Sequence, residues 1–200
     1  MRQMVSDDVE EFWNYFLSRR QDFEDLTSSD DPLYDALLAK LQRVHPDLYI
    51  EFCTTPGENE LILTAEGKME LFELVEEVVA QAPEISGWRI FALKPKLGFP
   101  QTTRWEGHEV RIADVMVVPV RHRETGRVGL HLYVEGATPK NEYDIHSALL
   151  RAIDHGLGER CFAERVQATW VHPIKELPKG VSSFPLMQLD EYVCPASDPC

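Results

Sequence analysis

Apolar residues recur every three or four positions over the first part of the chain, which is the spacing of an amphipathic helix. The first helix is predicted to begin at the N-cap residue Ser6 and to run to about Leu26. A second helix is predicted to begin at Pro32, because proline suits the first helical position, and to stop before Pro46. Together these two helices predict a helical hairpin.

Beyond Pro46 the apolar period changes to two, which indicates half-buried strands. Strands are predicted at 48–53, 60–65, 88–93, 110–120, 128–134 and 162–170, and helices after Gly67 and after Thr138. The predicted order of elements is therefore α-α-β-β-α-β-β-β-α-β. Because helices do not alternate strictly with strands, this order predicts an α+β fold with a mostly antiparallel sheet and helices packed on one face.

No linker divides the chain, so we predict a single α+β domain over residues 1–172. Residues 173–200 are rich in Pro and Ser, which predicts an extended or partly disordered tail. The chain has neither an apolar run of ~20 residues nor a signal-like start, and its cysteines are few and scattered. These features predict a cytoplasmic protein with reduced thiols and no membrane partner.

Net charge narrows the possible partners. The chain carries −14 overall, which argues against a nucleic-acid partner, since such binding depends on Lys and Arg at the phosphates. Residues 87–131 differ from the rest, because eight bases face four acids there. An uneven distribution of this kind can steer a charged protein partner.

Histidine and cysteine spacing predicts neither a metal nor a cofactor. If 116–120 and 128–134 form a hairpin with one apolar side, even-numbered positions pair with even-numbered ones, and His122 and His131 point to opposite faces. His108 and His172 are predicted to lie in or near loops without a partner at ligand spacing. The chain also lacks a close cysteine pair of the kind that binds zinc, a P-loop and a Rossmann glycine pattern.

The segment at the end of the last predicted helix offers an enzymatic alternative. Asp154, His155 and Glu159 could form an acid/base site of a small hydrolase or transferase. The structural explanation is that Gly156 and Gly158 end the helix and that a histidine there is favoured by the helix dipole. A ligand sensor with a pocket between sheet and helices remains a third possibility.

Two tryptophans stand out as candidates for the core and for an interaction surface. Trp88 opens an alternating strand and is predicted to lie in the core. Trp105 lies in a predicted loop beside Arg104, and an exposed Trp next to an Arg is typical of an interface hot spot. We therefore interpret the chain as a non-enzymatic protein-interaction module whose partner is another protein. The sequence leaves the partner's identity and the oligomeric state open.

Residues 60–95 resemble a known family. They contain Glu-Leu-Ile-Leu-Thr-Ala-Glu-Gly at 60–67, Ala-Pro-Glu at 82–84 and Gly-Trp-Arg-Ile-Phe-Ala-Leu-Lys-Pro at 87–95, and Leu-Gly-Glu follows a helix at 157–159. This pattern resembles bacterial proteins in the series labelled domain of unknown function 695, although Glu66 stands where Asp is expected before the glycine. The resemblance implies a cytosolic bacterial α+β domain without an established activity, so it assigns no catalytic residue.

Overall fold

The computed structural model describes residues 2–26, 28, 30–55 and 58–194. The chain divides into two compact units, a first unit Met1–Lys94 and a second unit Pro95–Cys200, where the sequence predicted one domain over 1–172. The boundary falls at the start of residues 94–107, which the sequence predicts as an irregular loop between the strands at 88–93 and 110–120. Both units combine helices with strands, and most strand pairings of the described residues are antiparallel, so the α+β prediction is confirmed. Within the described ranges, every helix is too short or too polar to cross a membrane.

The first unit begins with two helices and continues into a small sheet. Its elements are α1 (Arg2–Glu24), α2 (Pro32–Val44), β1 (Tyr49–Thr55), β2 (Glu58–Thr64), α3 (Phe72–Ala80) and β3 (Trp88–Ala92). Strand β2 lies in the middle, antiparallel to β1 and parallel to β3. The predicted N-cap Ser6 is wrong, because α1 already begins at Arg2. The restart at Pro32 is confirmed, and the carboxylate of Asp31 accepts a hydrogen bond from the Leu33 amide at 2.8 Å.

Aromatic side chains form the core of the first unit. Phe16 on α1 meets Trp88 edge to face with ring centroids 4.9 Å apart, and Phe23 stacks on Phe52 of β1 at 5.3 Å. The indole of Trp13 donates a hydrogen bond to the Val78 carbonyl at 3.0 Å, which ties α1 to α3. Trp88 is only 8% exposed, so its predicted place in the core is confirmed.

The second unit contains more strands than the sequence predicted. Its elements are β4 (Thr102–Trp105), β5 (His108–Arg111), β6 (Met116–Arg121), β7 (Val128–Val134), α4 (Glu142–Leu157), α5 (Glu159–Arg165), β8 (Val166–Pro173), β9 (Phe184–Pro185) and α6 (Leu189–Val193). The predicted loop at 94–107 contains β4, and a short 3₁₀ turn splits the predicted strand 110–120 into β5 and β6. The start of the predicted strand 162–170 is helical.

Strands β4 and β5 form a hairpin, and the larger sheet of the second unit has the order β8-β7-β6-β9. One face of this four-stranded sheet belongs to the core. There Val117, Leu130 and Leu132 join a buried cluster with Leu149 and Ile153 of α4. The helix that the sequence predicts after Thr138 agrees with α4. The contribution of this helix to the core was therefore predictable.

The predicted tail is wrong over most of its length. Strand β9 pairs with β6, and Leu186 and Leu189 are fully buried in the core of the second unit. A disulfide joins Cys161 on α5 to Cys194 directly after α6, which also overturns the prediction of free thiols at these positions. The two cysteines are 33 residues apart, so only the packing of α5 and α6 brings them together. Residues 195–200 lie outside the described part of the chain.

The two glycines at the end of α4 have different roles. Gly156 does not end the helix, because α4 continues to Leu157. A Cβ at this position would come within 2.5 Å of the Phe99 ring. Glycine is therefore needed there for close packing, in the last turn of the helix. Gly158 does end α4, as predicted, with a positive φ of 76° and an amide that donates to the Asp154 carbonyl.

Candidate functional site

The outer face of the four-stranded sheet, opposite the core face, follows from the register of β6 and β7. Val118 lies opposite His131 and Val117 opposite Leu132, so even-numbered residues of β6 pair with odd-numbered residues of β7. The predicted register is therefore wrong. Because β6 has apolar residues at consecutive positions, its sequence pattern does not indicate which side of the strand faces the core. His122 and His131 consequently line the same surface pocket instead of pointing to opposite faces.

Four rings stack on one another along the outer face, and we call them the aromatic ladder: His131 and Tyr133 of β7 with Trp170 and His172 of β8. His131 lies opposite Trp170 and Tyr133 opposite His172 in the parallel pairing of these strands. The ring centroids are 4.7 Å apart for His131 and Trp170, 5.1 Å for His131 and His172, and 5.0 Å for Tyr133 and His172. Such contacts hold all four side chains in fixed positions.

A hydrogen bond joins the two imidazoles of the ladder. His131 Nδ1 and His172 Nε2 are 2.9 Å apart, so one nitrogen donates a proton and the other accepts it. Burial, and then the charge of His172, lower the pKa of His131 below its ordinary value. The prediction that His172 lies in or near a loop without a partner is wrong, because β8 extends to Pro173 and brings His172 beside β7.

The ladder ends at a surface pocket of about 440 Å³, which we call the Trp170 groove. Trp170 is 45% exposed and is the most exposed of the four tryptophans. Its ring lies on Gly129, where a Cβ would come within 2.9 Å of the indole. Val120, which is 52% exposed, provides a second apolar wall. The other lining residues are Arg121, His122, Arg123, Glu124, His131 and Gln167.

The two arginines in the lining of the Trp170 groove differ in position. Arg121 shares the core-facing side of β6 with Val117, and its guanidinium donates to the Gly126 carbonyl at 2.9 Å and lies 5.9 Å from the centre of the Tyr192 ring. Arg123 is exposed in the turn after β6, and Glu124 is its acidic neighbour in the pocket lining. The groove therefore presents an apolar surface beside one guanidinium and the imidazoles of His122 and His131, a combination suited to a ligand that is both apolar and anionic.

The predicted acid/base residues lie elsewhere in the second unit. His155 is exposed, and its Nδ1 donates to the Gly98 carbonyl at 2.6 Å. Glu159 is 2% exposed at the start of α5, and Asp154 is half-buried in the last turns of α4. His155 is thus held at the surface against a loop, while Glu159 is buried. This arrangement favours the structural explanation of His155 over the enzymatic alternative.

The predicted interaction residues are placed differently from the sequence expectation. Trp105 ends β4 instead of lying in a loop, is half-buried, and has the Arg151 guanidinium 5.5 Å from its ring centre. Arg104 is exposed and forms an ion pair with Glu109 across the β4–β5 hairpin. Trp105 therefore presents less free aromatic surface than Trp170, which the sequence did not single out.

No protein-family model, curated protein or solved structure matches the chain. The resemblance of residues 60–95 to the uncharacterised bacterial family therefore stays a prediction. The expected absence of a metal and of a cofactor also stays a prediction. The described residues contain no group of three or more His, Cys, Asp and Glu side chains placed to hold a metal ion. The function is therefore inferred from the geometry of the Trp170 groove.

Proposed function

We propose that the chain is a non-enzymatic protein-interaction module that docks an acidic segment of another protein in the Trp170 groove. The observation that supports this proposal best is the half-exposed indole of Trp170, which lies against Gly129 in the same pocket as Arg123. Trp and Arg are the residues most enriched at interface hot spots.

The indole of Trp170 is suited to binding because it is already fixed. Stacking on His131 and contact with the Gly129 backbone hold it before any partner arrives. Docking an aromatic or prolyl side chain against it would therefore cost little additional side-chain entropy. Val120 extends the apolar surface, so the anchor of the partner segment would lie between these two side chains.

The charge of the groove indicates an acidic partner. The lining contains Arg123, His122 and His131 against the acid Glu124, and the guanidinium of Arg123 matches the planar carboxylates of Asp and Glu. The groove also draws rim residues from the 87–131 segment, which carries more bases than acids in a chain of net charge −14. Such a local positive region attracts acidic segments during diffusion and repels basic ones.

We assign to Trp170 and Arg123 the interaction role that the sequence predicts for Trp105 and Arg104. The reason is the free surface of each tryptophan, because Arg151 covers part of Trp105 while Trp170 is open on the side away from the sheet. Trp105→Ala is then a matched control for Trp170→Ala, since it removes the same side chain from the same unit.

A displayed library of random twelve-residue peptides tests the proposal with the whole chain as bait. We expect the selected peptides to be rich in Asp and Glu around an aromatic or prolyl residue, and to bind Trp105→Ala as well as the unchanged chain. Trp170→Ala should lose binding at least tenfold, the range of a hot-spot tryptophan. Selection of basic peptides, or equal binding by the Trp170→Ala variant, would contradict the proposal.

The cytoplasmic location expected from the sequence remains a proposal as well. The bond between Cys161 and Cys194 bears on it, because disulfides persist in oxidising compartments and are rare in reducing ones. Alkylation of the protein in intact native cells, followed by mass spectrometry, distinguishes the two cases. Modified Cys161 and Cys194 would support the cytoplasm, and protected cysteines would contradict it.

A further inference from the structure

We infer that the His131–His172 pair makes the Trp170 groove a proton-controlled docking surface, which holds its acidic segment more tightly when the pair carries an added proton. This inference rests on the proposed function and adds its regulation.

The pair takes up one proton as a unit. A single proton bridges His131 Nδ1 and His172 Nε2 at 2.9 Å in the neutral pair, and the ring that donates it has a free outer nitrogen. An added proton can bind at that outer nitrogen and leave the bridge intact, now as a charge-assisted hydrogen bond. A second added proton would put a hydrogen on both bridging nitrogens and break the contact. The pair therefore titrates between zero and one positive charge.

The charge of the pair lies beside the groove. His131 lines the Trp170 groove, and its ring stacks on Trp170 with centroids 4.7 Å apart. Because a hydrogen bond joins His172 to His131, a positive charge on either ring lies within the aromatic ladder that supports the indole. This charge adds to that of Arg123 in the groove where an acidic segment would lie. The added proton therefore strengthens the feature on which acidic recognition depends.

Other titratable and charged groups also face the pair. From β7, Tyr133 stacks on His172. From β6 and the turn after it, Arg121, His122, Arg123 and Glu124 line the groove beside His131. The proton that the pair takes up therefore adds positive charge to a groove that already contains Arg123.

Fluorescence of Trp170 tests the titration independently of any partner. A protonated imidazole quenches an indole that it touches, so the difference between the unchanged chain and Trp170→Phe should fall in one step as the pH is lowered below the ordinary histidine pKa of about 6.5. We expect His131→Gln to abolish this step, because His131 is the imidazole that stacks on Trp170, and His172→Gln to move it to higher pH, because the charge of His172 lowers the pKa of His131. The control His155→Gln should leave the step unchanged, because His155 contacts Gly98 outside the groove. A step that survives in His131→Gln, or that stays in place in His172→Gln, would overturn the inference.

Binding of an acidic probe tests the coupling. The probe is a fluorescein-labelled peptide with one phenylalanine between two pairs of glutamates, which stay ionised at pH 5.5 since their pKa is about 4.3. At constant ionic strength we expect about three- to tenfold tighter binding at pH 5.5 than at pH 7.5, and a clearly smaller change in His131→Gln. Equal affinity at both pH values, with binding still lost in Trp170→Ala, would overturn the inference and leave the proposed function standing. Absence of binding at both pH values would contradict the proposed function itself, and the regulation with it.

Discussion

The two units of this chain use the same kinds of side chain in opposite ways. The first unit carries 20 acids against eight bases and a single histidine, and its large aromatic residues lie in the core. The second unit carries 14 acids against 12 bases and six of the seven histidines, and it places a ladder of aromatic rings on one face of its sheet. The comparison indicates a stabilising role for the aromatic residues of the first unit and a recognition role for those of the second.

Trp88 and Trp170 illustrate the difference most clearly. Each lies on an edge strand that pairs parallel with its neighbour, β3 with β2 and β8 with β7. Phe16 of α1 and Phe52 of β1 enclose Trp88, whereas Trp170 contacts the sheet on one side and is half exposed. The element that packs against a strand, and not the strand itself, decides whether its tryptophan belongs to the core.

The largest expected effect contrasts these two tryptophans. Trp88→Ala should lower the free energy of unfolding by about 3–5 kcal/mol, because it empties a closed aromatic site. Trp170→Ala should lower it by about 1 kcal/mol, since much of its ring already faces water. Urea titrations of both variants measure the difference. Equal losses would show that Trp170 is a core residue and would remove the contrast between the units.

The disulfide allows a second test, confined to one unit. Cys194→Ser should destabilise the second unit by about 3–4 kcal/mol, the chain-entropy value for a bond that closes a separation of 33 residues. Hydrogen exchange followed by mass spectrometry should show faster exchange in 95–194 and unchanged exchange in 30–55. Cys53→Ser is the matched control, because Cys53 is an exposed free thiol of the first unit. Faster exchange throughout the chain would mean that the two units unfold together.

A third prediction concerns the base of the Trp170 groove. Gly129→Ala places a Cβ within 2.9 Å of the indole, so the ring has to move away from the strand. We expect a loss of about 1–2 kcal/mol in unfolding free energy and a weaker binding of acidic peptides. Circular dichroism in the near ultraviolet reports the displaced indole. An unchanged spectrum with unchanged binding would show that Trp170 does not depend on this contact.

The smallest expected effect is a dependence of stability on pH. Because burial and His172 hold the pKa of His131 below its unfolded value, the unfolded chain binds a proton there more readily than the folded one. The contribution of His131 is therefore complete above about pH 6.5 and declines as the pH falls from there to the folded pKa. Urea midpoints at pH 7.5 and 5.5 should differ less for His131→Gln than for the unchanged chain. An equal difference would remove His131 as the cause.

How far the sequence predicts this molecule depends on how local each feature is. The helical repeat of 145–153 and the burial of Trp88 follow from neighbouring residues, and both are confirmed. The register of β6 and β7 is not local, because Val117 and Val118 are both apolar and buried on opposite faces. The pairing of His131 with His172 is still harder to predict from the sequence, since a crossover with two helices separates β7 from β8.

The same limit explains the missed groove. The sequence indicated Trp105 because Arg104 is its neighbour along the chain. Only folding brings Arg121 and Arg123 into the lining of the same pocket as Trp170. The tail was misread for a similar reason. Leu186 and Leu189 are too few to form a pattern on their own, yet they complete a core that the strands before them have left unfinished.

The bond between Cys161 and Cys194 has a topological consequence. Residues 161–194 form a closed covalent ring that contains β8, β9 and α6. Lys175, Lys179 and Gly180 in the connection between β8 and β9 are exposed, so a protease that cleaves there opens the ring without releasing a fragment. The nicked chain would keep its full covalent mass plus one water, and its pieces would separate only after reduction. Exposed backbone in this connection therefore carries little risk of losing β9 and α6, which the disulfide keeps attached to the rest of the second unit.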